Sequence, residues 1–455
     1  MRDDAKRTQP IEPLEGRTLL AGVTLLAHGY NGDINGWVGS LANAIVARAG
    51  GSSKASVYTM TVDVNSSNNL AVTSFSRNSG FQDYQGTGGG EVVIQLDWSE
   101  VSGGDYSTGE VANVVSNYLT ARRGGAAPFS ELPIHLIGHS RGASLITALS
   151  KRLGERGIWV DQLTGLDPHP VDGENDFFNA DFGDTPMNSF ANVVYSESYW
   201  RSNGNSSSID FNGEPIPGAY NLNLRTVEAN HFVSAHGAVP SYYHGTADLN
   251  ATSNGEHPVI SGWYGTTSDK PRRNATGFYY SHLVGGTQPA SGVGRNFGGT
   301  GARASVSTSG AQAPNVAQVR LGNGSSFVAG KSVRLNYRYG DRDSSAKVVW
   351  SIDRDTNPYN GNFVRTGARS TFARTADPKA ASINVGTSGV ATGTYYLVAS
   401  VVDSTGLTRY NYANRAVSIS AAPGVATLTA PAPARPSMMS MSTRAEDVWA
   451  QLDVG

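Results

Sequence analysis

Five residues, Gly138-His139-Ser140-Arg141-Gly142, constrain this chain more than any other stretch. They follow an apolar run, Ile134 to Ile137, and precede Ala143 to Leu153, where Leu145, Ile146, Leu149 and Leu153 fall on one helical face. A strand that turns into a helix through a single serine needs a sharp, strained corner. Bulky side chains two residues away on either side would collide, and the two glycines remove them. The corner presents the serine hydroxyl and aims helix N-terminal N–H groups at developing negative charge. The pattern predicts a nucleophile at Ser140.

Around this corner, short apolar runs alternate with helical stretches. Val23 to Ala27, Ser56 to Val62, Val92 to Trp98, Ile134 to Ile137 and Val193 to Trp200 read as strands. Trp37 to Ala49, Gly109 to Arg122 and Ala143 to Leu153 read as helices. Such alternation predicts an α/β class with a mostly parallel sheet, followed by a small all-β sandwich domain. The expected division is an N-terminal segment 1–22, a catalytic domain 23–284, a Gly/Ser-rich linker 285–315, a sandwich 316–420 and a flexible tail 421–455. Within the tail, Arg444 to Leu452 could form one short amphipathic helix.

Composition closes off several chemistries. The 455 residues contain no cysteine, which excludes a disulfide framework, a thiolate nucleophile and a cysteine zinc site. Lys plus Arg (35) nearly balances Asp plus Glu (37), so no electrostatic case exists for a nucleic-acid partner. No run reaches the ~20 apolar residues of a membrane span. Arg2, Lys6 and Arg7 ahead of Thr18 to Ala27 resemble a signal peptide, but the run flows into His28-Gly29 and reads better as a strand entering a loop.

That loop holds the next feature. His28-Gly29-Tyr30 opens a glycine-rich segment to Gly36, placed so that the Tyr30 backbone N–H, beside that of Arg141, could form an oxyanion hole. For the acid, Leu163 to Asp167 is an apolar run stopped by Pro168, which sets Asp167 at a strand's C-terminal end; Asp161, Asp172 and Glu197 are rivals. For the base, His135 reads as packed in a strand and His169 as too close to Asp167, while His257 and His282 sit in unpromising settings. His231, His236 and His244 remain, with His236 favoured slightly because it lies in a Ser-Ala-His-Gly loop.

Four segments then resemble a known family: Val92 to Ser99 with its Asp-Trp-Ser end, the helix holding Gly109 to Leu119, Ile134 to Ala143 with Gly-His-Ser-Arg-Gly, and Thr164 to Pro168. Together they resemble the pancreatic-lipase-like branch of α/β-hydrolases, over roughly Val23 to Thr246. The resemblance implies the α/β-hydrolase fold and a triad of Ser140, Asp167 and His236. His236 is chosen because Tyr242 and Tyr243 follow it as the family's aromatic pair. Tyr30 and Arg141 would be the oxyanion donors, with His28, Gly29, Gly138 and Gly142 in support. The disulfides of animal members cannot exist here.

The expected activity is cleavage of carboxylic esters, lipase- or esterase-like, on a small-molecule or lipid-like substrate, with no cofactor and no metal. Two alternatives stand beside it: an amide or thioester hydrolase, and a non-catalytic cell-surface adhesion or scaffold protein. The sandwich is read as a binding or spacing module, immunoglobulin-like, with a surface or glycan contact left open. Asp341, Asp343, Asp353 and Asp355 are read as turn formers before calcium ligands. Domain arrangement and the motif Ile11 to Leu20 lean towards an extracellular or cell-surface location.

Overall fold

The computed structural model describes residues 21–86, 90–173, 180–202, 213–225, 227, 235–281, 283, 288 and 303–421. The N-terminal motif, His231, His282, most of the 285–315 segment and nearly all of the tail lie outside the described residues.

The first half is built on a mixed eight-stranded sheet. Its elements in chain order are β1 (Gly22–Ala27), α1 (Trp37–Arg48), β2 (Ala55–Val64), β3 (Leu70–Arg77), β4 (Glu91–Asp97), α2 (Thr108–Thr120), β5 (Ile134–His139), α3 (Arg141–Glu155), β6 (Val160–Leu166), β7 (Val193–Trp200), β8 (Tyr220–Asn223) and α4 (Ala238–Ala247). The strand order is β3-β2-β4-β1-β5-β6-β7-β8; every pair is parallel except the β2–β3 hairpin at the edge. The central strands β1 and β6 are buried along their whole length, and β5 up to Gly138, because both faces are covered. One face packs on α2 and α3 through residues such as Val111, Val115, Leu145 and Leu149. The other packs on α1 and α4 through Leu41, Ile45, Val239 and Tyr243. Helix α2 begins with a capping box, in which Ser107 accepts from the Glu110 N–H and Glu110 accepts from the Ser107 N–H.

The second half is all strand: β9 (Asn315–Leu321), β10 (Ser326–Val328), β11 (Ser332–Asp341), β12 (Ala346–Asp353), β13 (Phe363–Phe372), β14 (Thr375–Gly386), β15 (Gly393–Asp403), β16 (Thr408–Tyr412) and β17 (Val417–Ser420). They form a six-stranded and a three-stranded sheet. Val333, Leu335 and Val385 of the smaller sheet share one core with Val348, Trp350, Leu397 and Val401 of the larger.

These observations correct two expectations. The chain is β-rich, with 38% strand against 19% helix, and its strands are distributed over several sheets. Only four α-helices occur among the described residues. The expected α/β-hydrolase fold, and with it membership of the pancreatic-lipase-like branch, is not supported. The physical reason lies in the connections and in the second half. Pro168 and Pro170 stop helix formation directly after β6, and no helix covers the described parts of the β6–β7 and β7–β8 links. From Asn315 to Ser420 every regular element is a strand. No helix among the described residues is long and apolar enough to cross a membrane.

The two halves share polar and apolar contacts. Val398 and Tyr412 join the core cluster that contains Phe129, Leu132 and Ile134. Arg409, fully buried, donates from Nε to the Ser130 carbonyl at 3.0 Å and from Nη2 to that of Leu132 at 3.2 Å. It also bonds Asn315 Oδ1 and lies 4.0 Å from the buried Asp161 carboxylate. Both ends of the 303–314 stretch are packed too: Arg303 donates to the Val193 carbonyl at 3.2 Å, and Ala313 is buried.

Two predictions follow from buried charge. Removing one partner of a buried ionic cluster leaves the other without compensation. Arg409→Ala should therefore lower unfolding stability by about 3–5 kcal/mol in urea titrations; a loss below about 1 kcal/mol would mean that the cluster does not join the halves. Glu197, in the middle of β7, accepts from Gln162, Thr164 and Tyr199, and burial pushes its carboxyl up to about 7. A carboxyl whose folded pKa is raised binds its proton more tightly in the folded state, so its contribution falls as pH rises from about 4.5 to about 7. In urea titrations Glu197→Gln should be more stable than the parent at pH 8, by about 3 kcal/mol, and show little advantage at pH 4. An equal difference at both pH values would show that Glu197 does not titrate in this window.

Candidate functional site

Strand register brings the site together. Ala27 pairs with Gly138, His139 with Leu166, and Leu166 with Tyr199. The residues that follow, His28, Ser140, Asp167 and Arg201, therefore emerge side by side at the C-terminal ends of four adjacent parallel strands, where such sheets leave room for ligands.

Ser140 sits between β5 and α3 at φ 56° and ψ −128°, a left-handed conformation that a non-glycine residue adopts only when its surroundings hold it. Its N–H donates to the Leu166 carbonyl at 3.0 Å, and its carbonyl accepts from the Ala143 and His169 N–H groups. The glycines are sterically required. A Cβ on Gly138 would lie 2.2 Å from the Gly142 oxygen, and one on Gly142 would lie 2.3 Å from the His28 oxygen. One on Gly29 would lie 2.7 Å from the Ser140 Cβ. The His28-Gly29-Tyr30 backbone thus passes against the serine.

Asp167 also has positive φ, 44°, and its N–H donates to the Tyr199 carbonyl at 2.6 Å. Its carboxylate is fully buried. Oδ2 accepts from His236 Nδ1 at 2.7 Å, and this bond selects the tautomer whose Nε2 is left as the base. The rivals do not converge on His236: Asp161 belongs to the junction with the sandwich, Glu197 lies within β7, and Asp172 pairs through its backbone with Asp181. His244 is buried in α4 and does not line the pocket that holds His236, and the Tyr242 and Tyr243 rings after His236 are buried core.

Two buried arginine–aspartate pairs beside the pocket were not revealed by the sequence alone. Arg201, with no exposed side-chain surface, donates from Nε to Asp167 Oδ2 at 3.0 Å and from its backbone N–H to Oδ1 at 2.8 Å. Asp167 is therefore held by a cation on one side and by His236 on the other. Arg141, singled out only for its main chain, has a fully buried guanidinium bonded to both Asp184 oxygens at 2.7 Å and to the Ser102 carbonyl at 2.8 Å. Asp184 also accepts the Thr108 and Val171 N–H groups, so one carboxylate ties the starts of α2 and α3 to the backbone at Val171. A lone arginine after the serine gave no signal of this, because its partner lies far along the chain.

The neighbouring histidines are held neutral. His28 makes a 2.9 Å contact from Nδ1 to the Gly29 carbonyl, while its Nε2 accepts from the Trp98 N–H at 3.3 Å. Trp98 Nε1 in turn donates to the His28 carbonyl at 3.0 Å, so the Asp-Trp-Ser strand end locks the loop. The His139 ring lies 4.4 Å from that of His236, tilted at 36°, and contacts the His236 carbonyl through Nε2 at 3.2 Å. Burial lowers the pKa of His28 and puts that of His139 well below its ordinary value; the same cause brings His169 down to about 4. Ser140, His236 and Arg141 line one pocket of about 290 Å³ with Tyr30, Trp37, Val171 and Phe182.

In the sandwich, Asp341 and Asp343 come together with Asp403, while Asp353 and Asp355 serve elsewhere. Asp341 accepts from the Asp343 and Ser344 N–H groups, Asp403 from those of Thr405 and Leu407, and Asp353 from the Tyr412 hydroxyl. These carboxylates hold turns and strand contacts.

No family model matches the chain, and no curated protein matches it. Among solved structures, the CARDB domain of a Pyrococcus furiosus protein in complex with di-metal ions aligns over 24% of this chain and 91% of its own, at 17% identity and a TM-score of 0.17. Wild-type OgpA from Akkermansia muciniphila aligns over 87% of this chain and 93% of its own, at 8% identity and a TM-score of 0.18. A catalytically inactive OgpA in complex with an O-glycopeptide substrate gives 8% identity over 87% of this chain and 92% of its own, with a TM-score of 0.19. Likeness of this degree transfers neither fold nor activity.

Contact of the Gly29 backbone with Ser140 yields a direct test. Gly29→Ala should leave the melting temperature within a few degrees of the parent while cutting labelling of Ser140 by a fluorophosphonate at least tenfold, because the new methyl must displace the serine or the loop. Unchanged labelling would show that the loop has room to retreat.

Proposed function

We propose that this protein is a serine hydrolase that cleaves carboxylic esters by acyl transfer. The observation that carries this reading is the 2.7 Å bond from His236 Nδ1 to the buried Asp167 carboxylate, in a pocket that also holds Ser140 on its strained corner. A histidine fixed by a carboxylate and opening onto a serine hydroxyl is the arrangement that activates an otherwise weak nucleophile.

In this reading His236 takes the Ser140 proton as Oγ attacks the ester carbonyl, and the Asp167 carboxylate stabilises the imidazolium that forms. The backbone N–H groups of Tyr30 and Arg141 receive the oxyanion; losing one such donor costs about 3 kcal/mol in transition-state stabilisation. His236 then returns the proton to the leaving alcohol, and water, deprotonated by the same imidazole, releases the acid from Ser140. Arg201 and His139 touch no reacting atom. They are positioning residues, one holding Asp167 and the other the His236 backbone.

The same constellation can cleave an amide or a thioester, so the leaving group is a matter for assay. Treatment of the protein with a fluorophosphonate, followed by turnover of p-nitrophenyl esters from short to long chain, tests the reading. Ser140→Ala should abolish labelling and lower kcat by about 10⁴- to 10⁶-fold. A folded parent that neither labels nor turns over any ester would favour the non-catalytic surface protein.

A further inference from the structure

The charges around the pocket do not cancel. Two carboxylates, Asp33 and Glu256, line it, and both residues are exposed to solvent. The cations close by are already neutralised: Arg141 by Asp184, and Arg201 by Asp167, each pair with no side-chain exposure. His28, His139 and His169 are kept uncharged by burial and offset nothing at neutral pH. Among the described residues, the field in the pocket mouth is therefore set by these two carboxylates.

Their position is specific. Asp33 lies on the loop that begins at Gly29, with Oδ1 accepting from the Asn35 N–H at 2.6 Å. Glu256 folds over the same loop, since a Cβ on Gly36 would lie 1.7 Å from its Oε1. The Glu256 turn is fastened by Asn254 Oδ1, which accepts the N–H groups of Glu256 and His257. The next residue, His257, reaches the chain beside the triad base, where a Cβ on Gly237 would lie 2.4 Å from its Nε2. Glu256 thus stands on the His236 side, from which the leaving alcohol takes its proton. Trp37 and Tyr30 also line the pocket, and aromatic rings attract cations.

We propose that the preferred substrates are esters whose alcohol portion carries a positive charge, such as a quaternary ammonium or amino alcohol, with Asp33 and Glu256 as the specificity-determining residues. This rests on the ester-hydrolase reading of the same pocket. The acidic mouth also repels the carboxylate product once it is released.

The test compares butyrylcholine with its uncharged carbon isostere, 3,3-dimethylbutyl butyrate. At low ionic strength kcat/KM should favour the cationic ester by about five- to tenfold, and the ratio should fall towards one in about 0.5 M salt, because exposed charges are screened. In Asp33→Asn/Glu256→Gln the ratio should fall towards one at low salt as well, and Glu256→Lys should favour the neutral ester. A parent that cleaves both esters equally at low salt overturns the proposal and leaves the hydrolase reading intact. A parent that cleaves neither ester, turns over no p-nitrophenyl ester and resists fluorophosphonate labelling at Ser140 overturns both.

Discussion

The close passage of three backbone segments at the end of the first sheet governs the rest of the site. The turn at Ser140 presses against the 27–29 segment on one side and the start of α3 on the other, with no space for a Cβ at Gly29, Gly138 or Gly142. Positive φ at Ser140 and again at Asp167 is tolerated because neighbouring strands fasten both residues, through Leu166 and Tyr199. Strain of this kind, on the order of 1–3 kcal/mol per residue, persists only where the surroundings over-determine the backbone. Here the determinant is strand register: a shift of one residue between β5 and β6 would move Ser140 and Asp167 out of step.

Electrostatics in the first half follow a consistent scheme. Buried cations are matched by buried carboxylates, Arg141 by Asp184 and Arg201 by Asp167 at contact distance, while Arg409 approaches Asp161 at the junction with the sandwich. Unmatched buried groups lose their charge instead, as His135, brought down to about 3, and Glu197, pushed up to about 7, both illustrate. Such an interior leaves little net field. The groups that distinguish one substrate from another are then the exposed ones at the pocket mouth, where solvent screening permits charge without a partner.

The sandwich is joined to the first half through part of its own core. Tyr412 and Val398 pack with residues under β5, and Arg409 fills a polar socket formed by the backbone around Ser130 and Leu132. A second module tethered only by a linker would need none of these bonds. Their position at the end of the sheet opposite Ser140 leaves the pocket clear.

Much of the local structure was readable from the chain, because hydrophobic period and glycine placement act over a few residues. The strands Val23 to Ala27, Val92 to Trp98 and Ile134 to Ile137, the helices Trp37 to Ala49 and Ala143 to Leu153, and the corner at Ser140 all occur within about two residues of where the pattern put them. Strands β3, β13 and β14, exposed along much of their length, carry weak apolar alternation and went unread. The expectation of an α/β-hydrolase fold failed on a quantity that local motifs do not encode, the share of the whole chain given to helix and the number of sheets it builds. Pairings between distant residues were equally silent. Nothing near Arg201 in sequence points to Asp167, and nothing near Glu256 points to Gly36; those contacts exist only once strand order and loop crossings bring remote segments together. Residue type and spacing thus determined which side chains could do chemistry. Tertiary structure decided which of them meet, which charges cancel, and which remain to face a substrate.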